Sequence, residues 1–166
     1  MVIKKYISEN LNHLDQAYRR ESDPKKATYY SKLAILELCG WIEVSMDKII
    51  LSHGRKKVKF PKNTKFIETN VKQTYGFEYE KHFRKMLISL IGIVDCENIE
   101  SRVNSTVKTH LEVQLKNLKL IRDNLAHTYL QGSPGQSTID APSTTKARLD
   151  DIYKGLKEFQ KTLREL

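Results

Sequence analysis

His110-Leu-Glu-Val-Gln-Leu-Lys-Asn-Leu-Lys-Leu-Ile-Arg-Asp-Asn-Leu-Ala-His-Thr-Tyr-Leu130 is the stretch whose reading decides the fold. Leu111, Leu115 and Leu118 recur at steps of four and three, and the same rhythm lands next on Arg122 and then Leu125. Such spacing is the apolar stripe of an amphipathic α-helix that packs one face inward. Arg122 therefore stands where the packed face would next take a leucine. A cation at such a place costs free energy unless it is paired or faces a cleft. That anomaly marks the position as a site.

The rhythm continues outward from this helix. Leu149, Ile152, Leu156, Phe159, Leu163 and Leu166 predict a closing helix, with Ser143 or Thr144 as its cap. Between the two helices, residues 131–144 are dense in Gly, Pro, Ser and Thr and predict a long irregular loop. Upstream, the spacing predicts a helix over 3–20 and a long one over 24–54, opened by Pro24. A short helix over 64–75 is ended by Gly76, and another follows over 78–94. Asp95-Cys-Glu-Asn98 then interrupts the apolar pattern, residues 99–103 supply one more turn, and the opening helix starts near Thr109. The long second helix carries Leu33, Leu36, Leu38, Trp41, Ile42, Met46 and Ile49 on more than one stripe. It is either central in a bundle or shared between the core and a partner chain. Trp41 is correspondingly a core residue or an interface anchor. No alternating strand pattern or repeat is present, so the expected fold is all-α. We read an up-and-down bundle of four to five main helices with one or two short ones, in a single domain over 1–166.

The chain has 166 residues, enough to build a core without disulfide or metal staples. Lys and Arg number 29 against 20 Asp and Glu, and the net charge of +9 favours anionic partners such as RNA. Residues 54–65 concentrate this charge in Arg55, Lys56, Lys57, Lys59, Lys62 and Lys65 without one acid. They form either a landing strip for a phosphate backbone, with Arg55, Lys56 and Lys57 binding substrate, or a solvated basic loop. Cys39 and Cys96 lie far apart and suit a reducing cytosol, not a disulfide framework or a zinc site. The N-terminus turns polar at once, without the apolar core of a signal peptide. The longest apolar run, 86–94, is too short for a bilayer, so a cytoplasmic location without membrane contact is expected. His13, His53, His82 and His110 stand alone without metal-ligand spacing. Gly132 and Gly135 lack the lysine and serine of a phosphate loop, and no cofactor or metal is expected.

An α-helix turns by about 100° per residue, which points Arg122 and His127 roughly 140° apart. They cannot easily serve one phosphate from one regular helix. Either the helix loosens near Ala126, or a second copy completes the pair across a two-fold axis, where one patch meets itself. We favour the second. Histidine and arginine around a phosphate suit RNA cleavage without a metal. His127 can take the proton of a ribose 2′-OH or protonate the leaving 5′-oxygen. Arg122 can stabilise the added charge of a phosphorane-like transition state. The products would be a 2′,3′-cyclic phosphate and a 5′-hydroxyl. Asp123 can orient a basic group, and Asn124 can bond a phosphate oxygen.

The segment Ile121-Arg-Asp-Asn-Leu-Ala-His-Thr128, closing a leucine-periodic helix, resembles the R-x4-6-H signature of the HEPN superfamily. The Gly/Ser/Pro-rich stretch and the closing Ala147-Arg-Leu-Asp-Asp-Ile-Tyr-Lys-Gly-Leu-Lys-Glu-Phe159 look like the C-terminal end of HEPN domains, particularly the RiboL-PSP-type branch. The resemblance is most specific over 111–159 and rests on helical order alone upstream. It implies a four- to five-helix bundle and a homodimer whose facing motifs form a composite ribonuclease site. Such proteins are often toxins or phage-defence effectors encoded beside a neutralising antitoxin or regulatory partner. Carried over, Arg122 and His127 are the catalytic positions and Asp123 the supporting one. An early-helix acid often assists in the family, and Glu43 or Glu37 fits that role. Arg122-x4-His127-x-Tyr129 also matches the form in which antitoxins of nucleotidyltransferase type AMPylate the tyrosine. Tyr129 is then either that modified residue or a packed core aromatic. If the family's chemistry is absent, the resemblance implies a non-catalytic module binding nucleic acid or a partner protein.

Overall fold

The computed structural model describes residues 1–126 and 139–166, which form seven α-helices and no strand. They are α1 (Lys5–Arg20), α2 (Pro24–Lys57), α3 (Pro61–Gln73), α4 (Arg84–Ile91), α5 (Ile93–Arg102), α6 (Ser105–Ala126) and α7 (Pro142–Arg164). A π-helical turn, Tyr79–Phe83, runs directly into α4. The all-α bundle expected from the periodicity is the architecture observed, with α4 and α5 as its short members.

The bundle is built around α2. Asp23 opens it by accepting a hydrogen bond from Lys25 N at 2.9 Å, ahead of Pro24 in the first turn. A cap of this kind contributes about 1 kcal/mol. No proline follows inside α2, so the helix runs for 34 residues and packs against α1, α3, α4, α6 and α7. Ile35, Leu38, Ile42, Met46, Ile49 and Ile50 are its large fully buried apolar side chains. Burying each such side chain stabilises the fold by about 1.5–3 kcal/mol as an upper figure. Leu149, Ile152, Leu156, Phe159 and Leu163 bring α7 onto the same core. Phe159 stacks against Tyr79 and Phe83 with ring centroids 5.4 and 5.5 Å away. Gly155 lets α7 approach α6 closely, because a Cβ there would lie 2.7 Å from Leu111 Cβ.

Several boundaries differ from the sequence reading, each for a local reason. Gly54 does not stop α2; it is buried, with Ile67 and Leu90 packed over it, and the helix continues to Lys57. Residues 54–65 are therefore not a basic loop. Arg55, Lys56 and Lys57 form the last turn of α2, where unpaired carbonyls favour cations, and Lys62 and Lys65 lie on α3. The connection shrinks to 58–60 because Pro61 opens α3 earlier than the expected start at residue 64. The break after α4 falls at Gly92, whose φ of +81° suits glycine, and not at Asp95–Asn98. Asp95 instead occupies the first turn of α5, where free N–H groups favour a carboxylate, while Cys96 and Ile99 are buried. α6 begins at Ser105, one turn before the expected Thr109. Pro142 opens α7, placing Ser143 and Thr144 inside its first turn instead of at its cap. Of the expected irregular loop, 131–138 lies outside the described residues.

Candidate functional site

Leu111, Leu115, Leu118 and Leu125 are buried along one seam of α6, as their spacing requires. Arg122 continues that seam, but its side chain keeps about a third (32%) of its surface exposed. Its guanidinium carbon lies 5.6 Å from the ring centroid of Phe77, a fully buried residue in the segment after α3. The electron-rich ring face partly compensates a cation drawn off water, by about 0.5–2 kcal/mol. Asp123 supplies the rest of the immediate field. Its Oδ1 is 3.2 Å from Arg122 Nε and its Oδ2 is 2.9 Å from Lys119 Nζ. One carboxylate thus bridges two cations, and its hydrogen bond raises the Lys119 pKa. The approach of Asp123 to Nε is close enough for an ion pair. It lacks hydrogen-bond geometry, so the occluded Nε–H has no acceptor among the described residues.

Across from this edge stands α2. Burial pushes the Cys39 thiol up to about 12; the nearby Arg122 cation pulls it down, while Glu43 and Asp123 push it further up. Arg122 and Asp123 on α6 and Glu43 on α2 thus all lie within electrostatic reach of Cys39. A thiol held this high stays protonated at neutral pH and is no nucleophile. Of the two early-helix acids, Glu37 accepts a hydrogen bond from Asn10 Nδ2 at 3.2 Å, on the side facing α1. Glu43 is the acid whose charge reaches Cys39. One turn further along, burial and then the Glu43 charge raise the Asp47 carboxyl to about 6.

Asn124 is exposed beside Asp123 on α6. His127 and Tyr129 lie outside the described residues. Arg55 reaches Glu68 of α3 at 3.4 Å, and Lys56 and Lys57 border a cleft at the C-terminal end of α2. At the helical rise, that end is roughly 20 Å along the axis from Glu43. The structure therefore pairs Arg122 with Asp123, puts Glu43 within electrostatic reach of the same Cys39, and sets the basic turn apart from them.

An apolar strip borders the Arg122 neighbourhood. Tyr29, Leu33, Leu36 and Val44 are exposed along one side of α2. Glu43, Leu36 and Gly40 follow Cys39 around the α2 circumference by roughly 40°, 60° and 100°. Gly40 is exposed, and a Cβ added there meets nothing within 4 Å. Trp41 does not join this strip. It is half-buried, and its Nε1 donates to Ile3 O at 2.9 Å, which ties the N-terminal segment to α2.

The sequence alone does not single out Phe77, Lys119 or Cys39 beside the Arg122 site. The i, i+4 spacing of Lys119 and Asp123 was a signal for the second. For Phe77 no periodicity points across the chain to α6. Among the described residues, no helix is long and apolar enough to cross a membrane, and no His, Cys, Asp or Glu side chains group for a metal. No family model, curated protein or solved structure matches the chain.

Proposed function

We propose that this chain is a metal-independent endoribonuclease acting as a homodimer, with Arg122 and His127 of both copies converging on one RNA phosphate. The observation that carries the reading is Arg122 itself. A half-buried guanidinium whose Nε–H lacks an acceptor costs about 1–3 kcal/mol. Phe77 and Asp123 nevertheless hold it in place, five residues before His127. Expense of this kind, retained at a defined place, is characteristic of a group kept for chemistry.

In the reaction, His127 removes the 2′-OH proton as the 2′-oxygen attacks phosphorus. The bond to the 5′-oxygen breaks, and that oxygen receives a proton from a second histidine, the counterpart in the other copy. Arg122 stabilises the charge on the non-bridging oxygens, Asp123 positions Arg122 and Lys119, and Asn124 contributes a further donor. Glu43 supports the site from α2. The apolar strip over Tyr29, Leu33, Leu36, Gly40 and Val44 supplies a surface for the second copy beside Arg122. The resemblance of 121–128 to the HEPN signature extends the proposal to a cytoplasmic toxin or phage-defence effector. A cognate antitoxin or regulatory protein would restrain it, and AMPylation of Tyr129 is one way of doing so.

The test is cleavage of diverse RNAs in EDTA by the full chain and by Arg122→Ala and His127→Ala with their folds intact. We expect 2′,3′-cyclic phosphate ends from the parent and none from either variant. Uncut RNA with a pure dimer, and no difference between the three proteins, ends the reading. In that case the basic last turn of α2 favours a second one, a non-catalytic module binding RNA in a salt-dependent way through Arg55, Lys56 and Lys57.

A further inference from the structure

At the end of the bundle away from Arg122, the last turns of α2 and α7 enclose a cleft of about 140 Å³. Ile49 and Leu163 form its apolar wall, and Lys56, Lys57 and Arg164 bring cationic groups to it. No carboxylate lines it among the described residues. Gln160 lines it from α7 and is only 3% exposed, so its amide belongs to the packed interior. Gln160 Oε1 accepts a hydrogen bond from Val2 N at 3.2 Å. That bond fixes the orientation of the amide, because a backbone N–H can only donate. Nε2 is left with its two hydrogens and no acceptor among the described residues. A buried donor in this condition costs about 1–3 kcal/mol, and an acceptor brought against it would relieve that cost.

His53 adds a second buried polar group, 8% exposed, to the same lining. Burial, then the Lys57 and Lys56 charges, lower its pKa, so at neutral pH its ring is uncharged and carries one N–H donor. Two neutral donors set deep, with cations around them and no acid, suit a ligand rich in negatively charged acceptors. The volume is comparable to a cavity that takes one benzene-sized ligand, which is room for a phosphate group but not for a whole nucleotide.

We propose that this cleft is a phosphate-binding site, which takes one phosphate group between Gln160 Nε2, His53 and the Lys56, Lys57 and Arg164 cations. The group is the backbone phosphate of an RNA strand or the phosphate of a small ester, and the chemistry of recognition is the same. The site stands apart from Arg122 and does not rest on the ribonuclease reading.

The experiment is a titration of the full chain with inorganic phosphate, followed by the Gln160 side-chain amide and His53 ring resonances. Both should shift, with a dissociation constant in about the millimolar range. Gln160→Glu keeps an acceptor for Val2 N but puts a carboxylate in the cleft, and should weaken binding by at least about tenfold. Lys57→Ala, at an exposed position that leaves the core untouched, should weaken it in the same direction. Competition by a short single-stranded RNA, or by a sugar phosphate instead, identifies the source, and either result supports the site. Resonances unmoved by phosphate in the parent, or a His53 ring response in Gln160→Glu and Lys57→Ala equal to the parent's, overturn it. The titration reads the cleft whether or not RNA is cut, so its failure is distinct from failure of the catalytic proposal.

Discussion

The Arg122 guanidinium of α6 lies 5.6 Å from the ring centroid of Phe77, which has no exposed surface. A planar cation over a rigid ring is held in one orientation, and the fork of donors it presents is therefore fixed before any ligand arrives. Arg122→Lys keeps the charge but loses that plane. In single-turnover RNA cleavage we expect a rate at least about 100-fold lower. The thermal midpoint should stay within about 2 °C, because the position is already half-exposed. Cleavage by the lysine variant at the parent rate would remove Arg122 from the chemistry.

Gly40 offers a clean probe of the surface beside this site. The position is exposed on α2 and a Cβ there meets nothing within 4 Å, so Gly40→Arg is free to fold as a monomer. An arginine also has the better helix propensity, by about 0.8 kcal/mol. In a dimer formed through the strip of Tyr29, Leu33, Leu36 and Val44, the same side chain would stand in the interface. Sedimentation should show the parent as a dimer and Gly40→Arg as a monomer with undiminished thermal stability, and RNA cleavage should fall with dimerisation. A dimer that survives this substitution uses another face.

Asp47 gives the fold an unusual dependence on pH. Burial and the neighbouring Glu43 raise its carboxyl from 3.8 to about 6, so the folded state favours the protonated form. The sign follows directly: stability is highest below the unfolded value near 4 and declines as pH rises through about 6. Asp47→Asn removes the charge that is disfavoured above that range. Allowing for solvent screening at a partly exposed group, we expect a gain of about 1 kcal/mol in urea unfolding at pH 7.5 and no gain at pH 4. An equal gain at both pH values would assign the effect to packing.

The parts of the structure legible in the sequence are those where one face of one helix decides burial. The 111–125 seam and the 149–163 seam are buried where their spacing places them, and Arg122 on the first of them is only partly buried. The end of α2 was not legible. Gly54 has the look of a stop, and only the packing of Ile67 and Leu90 against it reveals why the helix continues. The basic residues after it read as a loop in the sequence, whereas all but Lys59 belong to two helix ends. Within the site, Asp123 and Lys119 obey local helix spacing. Phe77 packs under Arg122 from another element, and Cys39 feels its charge from α2; neither relation carries a period to be read in advance.

A second network tests the opposite pH behaviour. Glu100 Oε1 accepts hydrogen bonds from Tyr79 OH at 2.6 Å, Arg84 Nε at 3.0 Å and Lys108 Nζ at 3.4 Å. Burial alone would raise the Glu100 pKa, but the Tyr79 and Arg84 bonds and the Lys108 charge outweigh it and hold the carboxyl below its usual value. For a carboxylate lowered in this way, the stabilisation is present above the unfolded value near 4.5 and disappears as pH falls through the folded one. Tyr79→Phe keeps the ring contacts with Phe83 and Phe159 and deletes only the hydroxyl donor. We expect it to cost about 1–2 kcal/mol at pH 7, as a hydrogen bond to a charged group does. The difference from the parent should shrink once Glu100 is protonated, because a neutral carboxyl accepts the phenol less strongly. Urea unfolding of both proteins at pH 7 and at a pH low enough to protonate Glu100 measures this directly. A cost that stays constant between the two would mean that Tyr79 acts through its packing and not through the charge on Glu100.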